Sequence, residues 1–395
     1  MLIKNKTTLQ KLDSYIQTKK GIFFILLISK IILIPFVLYF ASKLDPRPFN
    51  ILILPDLDRY EDLSRLTNYF VTDKWTPSIG FMGLATIIRV ISNLEITKYF
   101  IYGFISLFIM TLSQTILLYN LFKYKIKSSI SIKVASLVLS IINFYILIYS
   151  VKPSTDVFGC LGIVILFSGL LKYNKKKDNN IIYKGSSSWL ITLLIISLFR
   201  SNLFIVIPFI SLTYSFKNII KDINSLRNYK KFLSILSLTT LAILNLYQLS
   251  SYIVLYQFDQ TSGGLIGTLI NNQPGNLLNQ IINMIIILFK KFIYLISARE
   301  TIAINNYDFF IFEKTNLFNY PFIFNIITTV YLLLNNMIGL ISINTSFGVK
   351  IRNNFLFTMI PLIPLVSYFT HHRYFLAYCL FTSASLPFLF EKKSE

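Results

Sequence analysis

Residues 21–41 read GIFFILLISKIILIPFVLYFA, an apolar run with one charge, Lys30. In helical form, about 20 such residues cross the hydrocarbon core of a bilayer. The run recurs. Further apolar segments occupy 98–122, 132–151, 155–172, 188–216, 232–256, 276–298, 321–343, 354–370 and 374–390. Of 395 residues, 54% are hydrophobic and only 14% are charged, against about 25% charged in an ordinary soluble domain. A membrane β-barrel would show short alternating segments instead of continuous runs. The expected fold class is therefore all-α polytopic, with roughly 9–11 transmembrane helices by the length rule.

Segment 78–93 is too short for a confident crossing and reads as an interfacial helix lying along the membrane. The chain is expected to form one transmembrane domain over 1–395. Within it, 42–97 is a first outer loop, and 257–320 is a second large outer loop or broken segment. The first 20 residues hold five lysines and read as a cytoplasmic lead-in. No small-residue cleavage site follows 21–41, so that segment is expected to be retained. Cys160 and Cys379 lie in apolar runs and are expected to pack as small hydrophobes, not to form a disulfide.

Charge supplies sidedness. The net charge is +21, and 23 of the 38 Lys and Arg residues fall within 4–20, 123–133, 172–184, 217–231, 350–352 and 392–393. Placing these stretches in the cytoplasm satisfies the positive-inside rule. It requires 188–216, which carries Arg200-Ser201-Asn202 at its middle, to be a re-entrant pair. It also requires a non-crossing or broken 276–298, which is interrupted by Lys290-Lys291. The bases are dispersed among apolar segments, so a nucleic-acid partner is not expected.

The opposite face then gathers polar residues of both signs. Pro55-Asp56-Leu57-Asp58-Arg59-Tyr60-Glu61-Asp62 holds four of the chain's 17 acids. Lys74-Trp75-Thr76-Pro77 follows, then the turn Lys152-Pro153-Ser154-Thr155-Asp156. Arg200 and Asn202 lie at the re-entrant turn, and His371-His372-Arg373-Tyr374 lies between the last two spans. Carboxylates and arginines together can activate a hydroxyl while holding a phosphate. Each element has a plainer reading as well. A charge run can be solvated loop, Tyr60 can anchor at the headgroups, Ser154 or Thr155 can cap a helix, and Arg373 can snorkel. Adjacent His371 and His372 on a short turn do not suit chelation of one metal ion. No Walker loop, dinucleotide glycine pattern, nucleophile elbow or zinc spacing occurs, so the substrates are expected to come from the membrane.

This order of motifs resembles the GT-C superfamily of integral-membrane glycosyltransferases, in its protein-mannosyltransferase and aminoarabinose-transferase-like branches. The resemblance rests on Asp56-Leu-Asp-Arg-Tyr60 after one span, Trp75-Thr-Pro77 before an interfacial segment, and Lys152-Pro-Ser-Thr-Asp156 opening a span. Leu198-Phe-Arg-Ser-Asn202 and His372-Arg373-Tyr374 follow in order. Many relatives have Asp-Glu in the first loop, where this chain has Asp56-Leu57 and a second acid at Asp58. The soluble C-terminal domain of some branches is not expected here.

The resemblance implies a GT-C-like bundle and inverting hexosyl or pentosyl transfer from a polyprenyl-phosphate-linked donor. The acceptor is a lipid, a glycan or a protein, and the reaction lies at the extracytoplasmic face of a multi-pass membrane protein of the bacterial inner membrane. Asp56 or Asp58 is the candidate base. Arg59, Tyr60, Asp156, Arg200, Asn202, Lys290, Lys291, His372, Arg373 and Tyr374 are candidates for holding substrate and phosphate. No metal ligand set is expected, although the aspartates leave room for a divalent cation, Mg or Mn. Two other readings stay open: an oligosaccharide repeat-unit polymerase, and a lipid or sugar transporter built on broken helices.

Overall fold

The computed structural model describes residues 13–44, 79–92, 95–125, 128–151, 155–175 and 376–391, with single positions at 195, 198, 199, 281, 282, 285, 330, 334 and 338. All regular structure among the described residues is helical: α1 (Lys19–Leu44), α2 (Ile79–Ile91), α3 (Glu95–Tyr124), α4 (Ile130–Ile142), α5 (Phe144–Tyr149), α6 (Thr155–Lys175) and α7 (Leu376–Ser385). A 3₁₀ turn, Leu386–Phe390, continues α7. Among the described residues one segment, Phe100–Lys123 of α3, is long and apolar enough to cross a membrane.

Helix α1 opens where the Thr18 hydroxyl accepts the backbone N–H of Gly21 at 3.0 Å, which satisfies a donor of the first turn. Its buried stripe is Ile22, Leu26, Lys30 and Ile34, while Phe24, Ile28, Ile31, Ile32 and Phe36 are exposed. A four-residue spacing keeps the stripe on one face. Pro35 sits inside the helix, and its ring nitrogen cannot bond the carbonyl of Ile31.

Helix α3 is the central element and buries Ser106, Thr111, Ser113, Gln114 and Thr115 along with its apolar residues. Ser113 and Thr115 donate back to the carbonyls of Ile109 (2.8 Å) and Thr111 (2.7 Å), which hides their hydroxyls inside the helix. Gln114 instead reaches across, its Nε2 donating to the carbonyl of Ser140 at 2.8 Å. Nearer the other end, Gly103 meets the carbonyl oxygen of Val151. Residues 114 and 103 thus oppose 140 and 151, so α4 and α5 run antiparallel to α3.

The segment expected as one span over 132–151 is two helices. Asn143 has extended backbone, and its Oδ1 accepts the N–H of Ile146 at 3.2 Å. A short polar side chain offers the next turn a cap in place of the continuous helical ladder. Hydropathy alone does not register the break, because the residues on both sides are apolar.

Asn120 Nδ2 donates to Ser168 Oγ at 2.7 Å, which docks α6 parallel to α3. At the same end as Asn120, Phe122 packs on Phe388 and Lys125 Nζ lies 3.8 Å from Glu391 Oε2. The Ser136 hydroxyl bonds the Ala384 carbonyl. These contacts set α7 parallel to α3 and antiparallel to α4. Lys19 lies over the Tyr119 ring at 5.1 Å, and Ile34 shares a cluster with Leu107, so α1 runs antiparallel to α3.

Helices α3, α6 and α7 therefore run one way, and α1, α4 and α5 the other. Lys19, Lys123 and Lys125 gather at one end. Helix α2, Tyr102 and Asp156 lie toward the other. Cys160 and Cys379 are buried and neither is in a disulfide bond, as the sequence indicates. The apolar segments 188–216, 232–256, 276–298, 321–343 and 354–370 lie outside the described residues, apart from the single positions given above.

Candidate functional site

The end of the bundle away from the lysines is built on an aromatic cluster. Helix α2 buries Phe81, Ala85 and Ile88, spaced by one turn, against Tyr102 of α3 and Phe158 of α6. Phe81 stacks on Tyr102 with ring centroids 5.9 Å apart and meets Phe158 edge-on at 6.3 Å. Phe158 stacks in turn on Phe199, with planes 3° apart. Ile195 and Phe199 close the cluster from a further segment.

Gly80 shows how closely that segment approaches. A Cβ there would lie 2.8 Å from the carbonyl oxygen of Leu198, so only glycine admits this contact between backbones. Three parts of the sequence thereby meet: the helix that follows Trp75-Thr-Pro77, the first turn of α6 after Lys152-Pro-Ser-Thr, and the residues that precede Arg200.

Asp156 lies in the first turn of α6 and is only 6% exposed. Its carboxylate is at the helix end where the macrodipole favours negative charge, which gives it a structural role besides any functional one. Its neighbours Val157 and Phe158 are buried with it. Asp56, Asp58, Arg59, Tyr60, Arg200, Asn202, Lys290, Lys291, His372, Arg373 and Tyr374 lie outside the described residues. So do the loop 42–78 and the segment 257–280. No group of three or more His, Cys, Asp or Glu side chains that could hold a metal ion occurs among the described residues, and the acid cluster at 56–62 and both histidines fall outside that set.

One buried charge enters the sequence reading only as the single charged residue of the apolar run 21–41. Lys30 is 0% exposed, and its Nζ has no hydrogen-bond partner among the described residues. An uncompensated buried ammonium costs several kcal/mol. The signal was present in the sequence as the spacing Ile22, Leu26, Lys30, Ile34, which puts the lysine in the middle of a buried stripe. No protein-family model, curated protein or solved structure matches this chain.

Proposed function

We propose that this chain is a polytopic all-α membrane protein with a GT-C-like bundle, which transfers a sugar from a polyprenyl-phosphate-linked donor to a lipid, glycan or protein acceptor at the extracytoplasmic face. The observation that supports this most is the meeting of α2, the first turn of α6 and Ile195, Leu198 and Phe199 at one end of the bundle. These are the flanks of three motifs on which the resemblance rests. The lysines at the opposite end suit a cytoplasmic face.

In this reading the acceptor hydroxyl gives its proton to Asp56 or Asp58. Its oxygen bonds to the anomeric carbon with inversion, and the bond from that carbon to the phosphate oxygen breaks. The phosphate leaves with the electron pair. Arg200 and Arg373, with Lys290 or Lys291, are the cations available to neutralise it. A divalent cation held by the aspartates would add charge stabilisation of the same sign.

The test uses the purified full chain in proteoliposomes, supplied with a polyprenyl-phosphate donor carrying labelled sugar. Addition of one labelled sugar per acceptor is expected. A ladder of lengthening lipid-linked products would assign the chain as a polymerase. Movement of label across the bilayer without a covalent product would make it a transporter.

A further inference from the structure

Helix α1 turns a charged side chain inward at a depth where every neighbour along its stripe is apolar. Ile34, one turn from Lys30, forms a buried cluster with Leu107 of α3 and Leu147 of α5, and Leu27 and Leu33 to either side of the lysine pack against it. The Lys30 ammonium is thus carried into the seam between α1, α3 and α5. One turn along α3 from Leu107, Thr111 is 0% exposed, and its hydroxyl also has no hydrogen-bond partner among the described residues. Two polar side chains from different helices border the same apolar seam with donors unused.

An ammonium offers three N–H donors and no acceptor, so its complement is an oxygen anion. A stripe filled by leucine at this position would avoid the desolvation cost altogether. Retaining structure around a lysine here therefore suits a bound anion better than packing. The other face of α1 exposes Phe24, Ile28, Ile31, Ile32 and Phe36, a surface matched to acyl or prenyl chains. Pro35 leaves the Ile31 carbonyl, one residue beyond Lys30, without its helical N–H partner, so α1 bends most easily beside the lysine.

We infer that Lys30, with the Thr111 hydroxyl, forms an anion subsite within the bundle for the phosphate of a membrane-borne prenyl lipid, which enters between α1 and its neighbours. The inference rests on the lipid-linked transferase reading for the identity of that lipid. The subsite draws on none of the candidate site residues read from the sequence. It would hold a donor or a spent lipid phosphate, and it takes no part in bond making.

The experiment is a native mass-spectrometry titration of the full chain with a long-chain polyprenyl phosphate and with the matching uncharged polyprenol. Wild type is expected to prefer the phosphate by roughly tenfold or more, since a hydrogen bond to a charged group is worth at least that factor. Lys30→Met should lose this preference while still binding the polyprenol, Lys30→Arg should keep most of it, and Thr111→Val should lose part. If Lys30→Met does not fold, Lys30→Gln is judged by the same ratio. A preference unchanged in the Met or Gln variant would overturn the inference. Competition by inorganic phosphate at equal concentration would overturn the lipid as the source of the anion. Sugar transfer that continues with Lys30-independent binding removes the subsite and spares the transferase. Lys30-dependent binding without any transfer does the reverse.

Discussion

At the residue scale, the buried lysine and the helix-breaking asparagine make opposite predictions. Lys30 makes no hydrogen bond among the described residues, so Lys30→Met removes a desolvated charge without orphaning a partner. Unfolding of the purified protein in detergent should show a midpoint equal to or above that of wild type, because such replacements are neutral or stabilising. A large drop would mean that an acid outside the described residues pairs with Lys30. Asn143 does have a partner, the N–H of Ile146. Asn143→Ala should therefore cost about 1 kcal/mol, the usual worth of a cap, and the same melts would show it as a lowered midpoint. The apolar segment from 155 was legible in the sequence, and α6 begins at Thr155 with Asp156 in its first turn. The burial of Lys30 could be read only by combining periodicity with charge, since composition treats every lysine alike.

Among the elements, α2 allows a paired comparison within a single helix. Gly80 lies against the backbone of Leu198, whereas a Cβ on Gly83 would meet nothing within 4 Å. Gly80→Ala should therefore be destabilising by about 1–3 kcal/mol as overpacking, and should weaken the proposed sugar transfer by displacing Leu198. Gly83→Ala should be stabilising by about 0.5–1 kcal/mol through helix propensity. Equal effects at the two positions would contradict the close approach of α2 to Leu198. The short helix over 78–93 was legible from its length and flanking Pro77, and α2 occupies Ile79–Ile91. Segment 98–122 likewise corresponds to α3 (Glu95–Tyr124). The division of 132–151 was not legible, because a cap is a local hydrogen bond inside an otherwise uniform apolar run. The register of α3 against α6 was equally hidden. It is marked by the pair Asn120 and Ser168, residues 48 apart whose pairing no local pattern announces.

On the scale of the whole molecule, the helix directions divide the described charges between two ends. In the proposed membrane orientation the lysine end faces the cytoplasm, as the positive-inside rule requires. Orientation can be measured directly. Ser129→Cys, at the exposed start of α4, should react with a membrane-impermeant maleimide only after the cells are permeabilised, whereas Asp62→Cys should react in intact cells. Cys160 and Cys379 are buried and should contribute little background. The same side for both labels would contradict the topology.

The proposed catalytic centre rests on an order of short motifs alone, since the chemistry depends on distances between loops that sequence spacing does not supply. Its central claim is that a first-loop aspartate takes the acceptor's proton during sugar transfer. Asp56→Asn and Asp58→Asn, each in the purified full chain with labelled polyprenyl-phosphate sugar, test that claim most directly. One of the two should lose transfer by about 10²–10⁴-fold, the usual contribution of a general base, while still binding the donor. Undiminished transfer in both variants would contradict the account.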